Sequence, residues 1–279
     1  MLDASKSKKI KDVNKFKVFI CKYQTSTFPV EDQNGTIWFI GFQGFSKYNP
    51  DEKSEEFHII HDQKVPVLRS FTSENGLNNA QIRYRGIVDR EGNLWIGHDG
   101  GGITKFSGEA FQMFTTKDGL GDNNIWAFCE DKDKNIWVGL NDKGVSKINL
   151  SRSPTGSGTP RALPLIENYN FVEIIGASAN NTTVSIFQDS KKKIWFGNAG
   201  GVITRLNYKS GESQNNSFKT ILDGGFTTSG GIWDIIEDRQ GNLWFGTLNG
   251  GVWKYSHHRS PTSRGAPNIQ RLCFRMFPK

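Results

Sequence analysis

One strand-rich motif recurs five times along the 279-residue chain, and this repetition restricts the fold more than any other feature. Each copy has an aspartate six residues before a tryptophan, then a glycine-containing turn, then an apolar run ending near a basic residue. The copies occupy residues 32–48, 89–106, 131–148, 189–206 and 238–255, with Trp38, Trp95, Trp137, Trp195 and Trp244 at equivalent positions. Repeats of this size are units that bury their core only against their neighbours.

Each copy reads as a set of short strands. The apolar run before each aspartate, such as residues 125–130, predicts an inner strand buried on both faces. The aspartate begins a turn in which its carboxylate accepts backbone N–H groups ahead of it. The Leu/Ile-Trp segment and the run after the glycines predict two more strands, and residues 111–114 are an example of a fourth. Four strands per repeat predict a propeller blade, with the tryptophan filling the wedge between neighbouring blades.

The expected architecture is therefore all-β, a β-propeller of about five four-stranded blades over residues 25–255, either a complete ring or a portion of a larger propeller. Residues 71–77 and 114–120 share a lead-in that we expect to join an outer strand to the next inner strand. Residues 151–165 form a Pro/Gly/Ser-rich loop insertion. A strand within residues 1–24 is a candidate to clasp the last blade, and residues 256–279 are a competing candidate for that outer strand.

The net charge of +7 lies in the two terminal segments. Residues 1–24 and 256–279 each carry +5, so the repeats between them carry −3. A nucleic-acid-binding body would carry its basic residues on the fold itself, so we expect no nucleic-acid partner. Residues 1–24 have lysines but no apolar run behind them, which does not fit a signal peptide. No apolar stretch is long enough for a transmembrane helix, and the compartment stays open from the sequence alone.

Catalytic and metal-binding motifs give little to support an enzyme. The chain has no G-x-S-x-G, HExxH or Walker A motif, and the three cysteines are too far apart in the sequence to form a CxxC pair. The series Asp131, Asp133, Asn135 resembles the start of a calcium loop but lacks its later ligands, so we interpret it as a plain turn. We therefore predict no metal, no cofactor and no catalytic residue.

The repeat as a whole resembles the two-component regulator propeller repeat. The residues that carry the resemblance are FT-x-x-D/N-GL followed by ED-x-x-GNLWIG and a glycine-rich turn, over roughly residues 25–255. The resemblance implies an extracytoplasmic or periplasmic sensor of a hybrid histidine kinase. It also implies a carbohydrate-type ligand, a kinase module in a longer parent protein, or a dimer partner. Virginiamycin-type lyases have a similar repeat, but here a glycine follows the Trp-Phe pair and the lyase acid is absent.

The candidate ligand site comes from a position where the repeats differ. Five residues before each aspartate the chain has Thr27, Tyr84, Trp126, Val184 and Trp233, at the expected entrance of the inner strands. Aromatic rings there can stack on a sugar, although packing between blades is the more ordinary role. Polar neighbours that could bind hydroxyl or carboxylate groups are Arg83, Arg85, Asn123, Asn124 and Asp234. The five basic residues that end the third strands are interpreted as a solvated, outward-facing ring, with a site for an anionic ligand as the less favoured alternative.

Three functions follow, in order of preference. The first is a sensor module that binds an oligosaccharide or similar small ligand at the channel mouth. The second is a scaffold for protein partners. The third is a propeller lyase or hydrolase of the virginiamycin-lyase type.

Overall fold

A computed structural model describes residues 26–53, 56–60, 63–78, 82–108, 110–151, 164–175, 181–207, 217–222, 230–256 and 269–272. The strands of the first two blades are β1 Ser26–Glu31, β2 Ile37–Gly41, β3 Gly44–Tyr48, β4 Phe57–Ile60, β5 Gln63–Pro66, β6 Arg69–Phe71, β7 Ile82–Val88, β8 Leu94–His98, β9 Ile103–Phe106 and β10 Phe111–Phe114. Those of the other three are β11 Ile125–Glu130, β12 Ile136–Leu140, β13 Val145–Asn149, β14 Leu165–Tyr169, β15 Thr183–Gln188, β16 Ile194–Asn198, β17 Ile203–Asn207, β18 Ser217–Leu222, β19 Ile232–Glu237, β20 Leu243–Thr247, β21 Val252–Tyr255 and β22 Ile269–Leu272.

These strands form five four-stranded antiparallel sheets, and the predicted all-β propeller architecture is confirmed. The first blade has the order β1-β2-β3-β6, with β4 and β5 as an inserted hairpin, and each later blade uses four consecutive strands. A short helix α1, Phe171–Ile175, and two 3₁₀ turns, Ser73–Asn75 and Thr116–Asp118, complete the elements. The first strands of successive blades pack side by side and form the inner layer of the propeller.

Three predicted segments can be located only in part. The proposed clasping strand of residues 1–24 lies outside the described residues. Residues 152–163 of the loop insertion also lie outside them, and β14 begins at Leu165. Within residues 256–279, β22 pairs with β21 as the outer strand of the fifth sheet.

The aspartate and the tryptophan of each repeat are joined by a hydrogen bond. In blade 3, one oxygen of Asp131 accepts the backbone N–H groups of Asp133 and Asn135, both at 2.9 Å. The other oxygen accepts the indole N–H of Trp137 at 2.8 Å. The same indole bond forms at the equivalent pairs Asp32–Trp38, Asp89–Trp95, Asp189–Trp195 and Asp238–Trp244. The predicted aspartate turn is thus confirmed, and it also fixes the ring that fills the wedge.

The hydrophobic core lies between the blades, as the repeat requires. Four clusters of buried residues each join one blade to the next, and they contain Trp38, Trp95, Trp137 and Trp195. The second residue after most of these tryptophans is a glycine because the next inner strand passes there. A Cβ on Gly97 would lie 2.7 Å from Ile125, and one on Gly139 would collide with the backbone oxygen of Thr183.

The fifth blade differs because one of its faces is uncovered. A Cβ on Gly246 would have Asp234 of its own blade as its nearest neighbour, 3.8 Å away. Trp244 is half-buried, whereas the tryptophans of blades 2 to 4 are fully buried. Ile236 and Leu248 are 57% and 65% exposed. In the described part of the chain, blade 5 therefore lacks the neighbour that covers the same face of blades 1 to 4.

The predicted lead-ins form tight capped turns between blades. In the first, the hydroxyl of Thr72 accepts the N–H of Glu74, and the side chain of Asn75 accepts the N–H of Thr72. In the second, Thr115 and Asp118 form the same reciprocal pair. This capping box satisfies the N–H groups at the start of each turn. The lead-ins join outer strands β6 and β10 to inner strands β7 and β11, as predicted.

Candidate functional site

Each inner strand enters its sheet with a register irregularity, and this irregularity coincides with the variable column of the sequence. In β11, Ile125 pairs with Leu140 and Ala127 with Gly139, so Trp126 has no partner on β12. Thr27, Val184 and Trp233 occupy the equivalent position in β1, β15 and β19. A bulge of this kind turns a side chain away from the regular alternation of the strand. Bulges are common beside binding sites. The variable position of the repeat therefore coincides with a backbone feature that is typical of such sites.

Two of these bulge residues contact each other across the inner layer. The ring centroids of Trp126 and Trp233 are 5.9 Å apart, with an interplanar angle of 68°. They belong to blades 3 and 5, so the contact passes over the inner strand of blade 4, whose bulge residue Val184 is buried. Both tryptophans are partly exposed. The pair is an edge-to-face contact that leaves aromatic surface accessible on the inner layer.

The polar groups beside this pair differ in whether they have a hydrogen-bond partner. The indole nitrogen of Trp233 is buried and has no hydrogen-bond partner. A buried donor without an acceptor costs about 1–3 kcal/mol, so an acceptor brought by a ligand would be stabilised there. The next residue, Asp234, is exposed, and one of its oxygens accepts the N–H of Ile235 at 3.0 Å.

Two of the predicted polar residues form hydrogen bonds within the turn that precedes β11. The side-chain oxygen of Asn123 accepts the N–H of Thr116 at 2.8 Å, which fixes the lead-in. The side chain of Asn124 donates to Asp122 at 3.0 Å. Both asparagines are only partly buried. They position the entrance of the strand, and their use by a ligand remains a prediction.

The predicted residues of blade 2 are located only by their backbone. Arg83, Tyr84 and Arg85 lie in β7, and their side chains are outside the described part of the structure. Ile82 pairs with His98 and Gly86 with Ile96, so three residues face Gly97 alone. The irregularity of β7 is thus larger than that of the other inner strands, at the segment where sequence analysis placed three of its candidate residues.

The calcium-like series of blade 3 forms a turn, as predicted. Both carboxylate oxygens of Asp131 accept N–H donors, including the side chain of Asn135 at 2.8 Å and 3.0 Å. Oxygens whose lone pairs already accept these N–H groups have little capacity left to bind a cation. Across the residues that the structure describes, no group of three His, Cys, Asp or Glu side chains could hold a metal ion.

The basic residues of the third strands differ from the solvated ring that we expected. Each pairs in register with the tryptophan of its own blade and is half-buried. In four blades the cation lies over that indole ring, at 5.5 Å for Lys105, 5.7 Å for Lys147, 5.4 Å for Arg205 and 5.1 Å for Lys254. The electron-rich face of an indole attracts a cation. In these four blades the indole ring therefore lies between a carboxylate, which accepts its N–H, and a cation, which lies over its face.

Sequence reasoning missed the bulges and the contact between Trp126 and Trp233. The signal available was the change of residue type at one repeat position, which shows that the position differs but not that the backbone opens there. The contact itself joins residues of non-adjacent blades, so it depends on the curvature of the whole inner layer.

No helix in the described ranges has the length and hydropathy of a membrane-spanning segment.

The fold and the repeated Asp-Trp unit define the chain as a β-propeller. The sequence profile described as "two component regulator propeller" matches residues 119–142 and 228–249, which belong to blades 3 and 5. Those two segments therefore carry two-component regulator propeller repeats. A comparison with curated proteins returns no match.

Solved structures with a similar fold include two extracellular domains described as parts of hybrid two-component systems from B. thetaiotaomicron. The BT3049 domain is 19% identical, with a TM-score of 0.55, and the match covers 81% of this chain and 27% of that one. The BT4673 domain is 16% identical, with a TM-score of 0.56, and the match covers 90% of this chain and 31% of that one. The chain spans about a third or less of the length of these two structures. At these identities the likeness concerns the fold.

A third solved structure with a similar fold is that of an enzyme. It is a catalytically inactive variant of virginiamycin B lyase from Staphylococcus aureus with quinupristin, 12% identical, with a TM-score of 0.56. The match covers 90% of this chain and 72% of the lyase. The fold is thus shared by extracellular domains of hybrid two-component systems and by a lyase, and fold likeness alone does not choose between them.

Proposed function

We propose that this chain is a ligand-sensing propeller module and that it binds an oligosaccharide or a similar hydroxylated ligand beside Trp126 and Trp233. The observation that carries the proposal is the contact of these two bulge residues, 5.9 Å apart, on inner strands of non-adjacent blades. A ligand that touches both rings would bridge blades 3 and 5. Binding at this pair would therefore depend on the curvature of the propeller, and a change in that curvature would change the affinity.

The chemistry of the pair suits a sugar. Partly exposed indole rings offer flat apolar surface for the C–H face of a pyranose, and apolar walls with few polar groups are typical of small-molecule sites. The indole N–H of Trp233 has no acceptor among the described residues, and a sugar hydroxyl would supply one on binding. The carboxylate of Asp234 is exposed beside it and can accept a hydrogen bond from a second hydroxyl. Arg83 and Arg85 of β7 are proposed to supply a cation for an acidic sugar.

The wider role is proposed from the solved structures. The two similar domains from B. thetaiotaomicron are extracellular parts of hybrid two-component systems, which supports an extracytoplasmic location and a histidine kinase module in a longer parent protein. In such a parent, ligand binding at the inner layer would be relayed through the propeller, or through a dimer of propellers, to the kinase.

The test is a thermal-shift screen of the full chain against neutral and acidic oligosaccharides, followed by calorimetric titration. A ligand that binds only the folded state raises the melting temperature with dose. Trp233→Phe keeps an aromatic ring, although a smaller one, and removes the N–H donor. Trp126→Ala removes one stacking surface. We expect each to weaken binding about tenfold or more, equivalent to about 1.4 kcal/mol.

Trp253→Phe is the matched control because it makes the same chemical change in blade 5, in the core cluster rather than at the bulge. It should leave the affinity unchanged. A cooperative melt with no response to any sugar would reject the sensor proposal and favour the protein scaffold. Turnover of a ligand, abolished by a chelator, would favour the lyase or hydrolase instead.

A further inference from the structure

Blade 4 carries three cations at the face of its tryptophan. Blade 1 also has a cation pair there, Lys47 and Arg69, but Glu52 lies 2.6 Å from Lys47. Trp195 pairs in register with Arg205 on β17, and Arg205 pairs with Lys219 on β18. Residues that are directly opposite share a face, and residues two apart on a strand share it too. Lys193 lies in the turn directly before β16, and the positive charge of Arg205 lowers its pKa, so it borders this face. The cation cluster, defined here as Lys193, Arg205 and Lys219, lies on one side of the sheet.

Blade 3 has the same backbone arrangement with compensating charges. Lys147 takes the place of Arg205, and the residue opposite it on β14 is Glu167, with the charged atoms 3.4 Å apart. The place of Lys193 is taken by Asn135, whose side chain donates to the turn aspartate. Blade 4 has a lysine at both of these places. Within the described part of blade 4, no acid takes the place that Glu167 has in blade 3.

The cluster contains a cationic donor that the fold does not satisfy. The Nε atom of Arg205 is buried and has no hydrogen-bond partner. Like charges directly opposite each other on neighbouring strands are destabilising, which applies to Arg205 and Lys219. Burial lowers the pKa of Lys193, and the nearby charge of Arg205 lowers it further. Both effects indicate that the positive charges are close and poorly solvated.

Among the residues that the structure describes, Asp189 is the acid that acts on Lys193, and its oxygens are already bonded. Asp189 raises the pKa of Lys193, against the two effects above. One of its oxygens accepts the backbone N–H of Lys193 and the other the indole N–H of Trp195, both at 2.8 Å. The carboxylate of Asp189 is therefore engaged by backbone and indole donors, and the exposed side of the cluster is formed by Lys219.

We propose that Lys193, Arg205 and Lys219 bind a single oxyanion group, a sulfate, phosphate or carboxylate, carried by an acidic ligand. A guanidinium donates two parallel hydrogen bonds to such a group, and partial burial strengthens the interaction. The ammonium groups of the two lysines complete the binding site from either side. The site lies on strands β16 to β18 and is separate from the bulge residues of the inner layer.

The experiment uses sodium sulfate, sodium phosphate and sodium acetate as probes of the full chain. Each is compared with sodium chloride at equal ionic strength, because sulfate and phosphate stabilise most proteins by exclusion from the surface. Melting temperature and calorimetric titration are the measurements. We expect a saturable response in the millimolar range or below, and the ranking of the three probes identifies the preferred oxyanion.

Lys219→Glu is the decisive variant because it gives blade 4 the acid that blade 3 has in Glu167. The exposed position of Lys219 favours correct folding, and Lys219→Gln is a milder second variant. We expect at least tenfold weaker anion binding in Lys219→Glu and a higher melting temperature without anion. Glu167→Gln, the matched control in blade 3, should leave anion affinity unchanged. Equal responses of wild type and Lys219→Glu, or no saturable response in wild type, would overturn the proposal.

Discussion

In blade 3 the indole nitrogen of Trp137 donates a hydrogen bond of 2.8 Å to Asp131, and both side chains are fully buried. They are six residues apart in the sequence because the turn between them brings the tryptophan back beside the aspartate. A carboxylate inside a protein is stable only when its oxygens are well satisfied. The turn N–H groups and the indole N–H satisfy it together, which explains why aspartate and tryptophan recur as a pair.

Trp137→Phe should therefore destabilise the propeller more than the same change in blade 5. The variant removes one donor from a fully buried carboxylate, which costs about 1–3 kcal/mol. Trp244→Phe should cost less because Asp238 and Trp244 are only half-buried, so water can replace the lost donor. Unfolding by denaturant measures both free energies. Equal losses would contradict the assigned role of burial.

Gly139→Ala and Gly246→Ala form a second matched pair. The methyl group at residue 139 would collide with the backbone oxygen of Thr183, which cannot move without shifting the next blade. We expect a loss of about 1–3 kcal/mol or more in the free energy of unfolding, as is usual for overpacking. At residue 246 the nearest atom would be 3.8 Å away, so the expected change is about 0.5 kcal/mol or less.

The outcome at residue 246 also reports on the open face of blade 5. A large loss in Gly246→Ala, comparable to that of Gly139→Ala, would mean that another strand covers this face in solution. Chemical denaturation and the melting temperature of both variants, measured at two protein concentrations, separate an intramolecular from an intermolecular cover.

The sequence predicts the blades well because the information is local. The turn of Asp131 and the strand that contains Trp137 follow from residues within one repeat, and they form as expected. The half-buried cations differ because their environment depends on register: Lys147 faces Trp137 across a strand pair, and sequence spacing alone suggests a solvated end. The contact of Trp126 with Trp233 could not be predicted, since it requires the positions of three successive inner strands.

Lys192→Gly should stabilise blade 4. Lys192 has a φ of 64°, in the left-handed region, whereas blades 1, 2 and 5 have Gly35, Gly92 and Gly241 at this turn position. A side chain in that region costs about 1–2 kcal/mol, and the extra flexibility of glycine in the unfolded chain offsets about 0.5–1 kcal/mol. We therefore expect a gain of up to about 1 kcal/mol.

The control for this change is Lys191→Gly, one residue earlier in the same exposed turn. Lys191 is not among the residues with positive φ, so glycine there adds flexibility without relieving strain. The free energy of unfolding of this variant should stay the same or fall by up to about 1 kcal/mol. A gain in Lys191→Gly equal to that in Lys192→Gly would point to charge removal, since both variants delete a lysine.

The carboxyl of Asp238 gives the propeller a defined response to acid. Desolvation raises the pKa of this group, but hydrogen bonds from Trp244 and Asn242 outweigh it and lower the pKa from 3.8 to about 2. Because the folded value lies below the unfolded one, the group stabilises the fold fully above about pH 4. That contribution is lost as the pH falls through the folded pKa, near 2. The free energy of unfolding should decrease across this window.

Trp244→Phe distinguishes the contribution of Asp238 to the acid response from that of the other carboxyl groups. The variant removes one of the hydrogen bonds that lower the pKa of Asp238, so that pKa should move back towards 3.8. The stability difference between wild type and Trp244→Phe should then be largest and constant above about pH 5, and it should shrink as the pH falls towards 2. Denaturant unfolding at several pH values measures the difference, and a carboxyl-carbon titration by NMR locates the pKa. A difference that stays constant with pH would show that the tryptophan acts through packing alone.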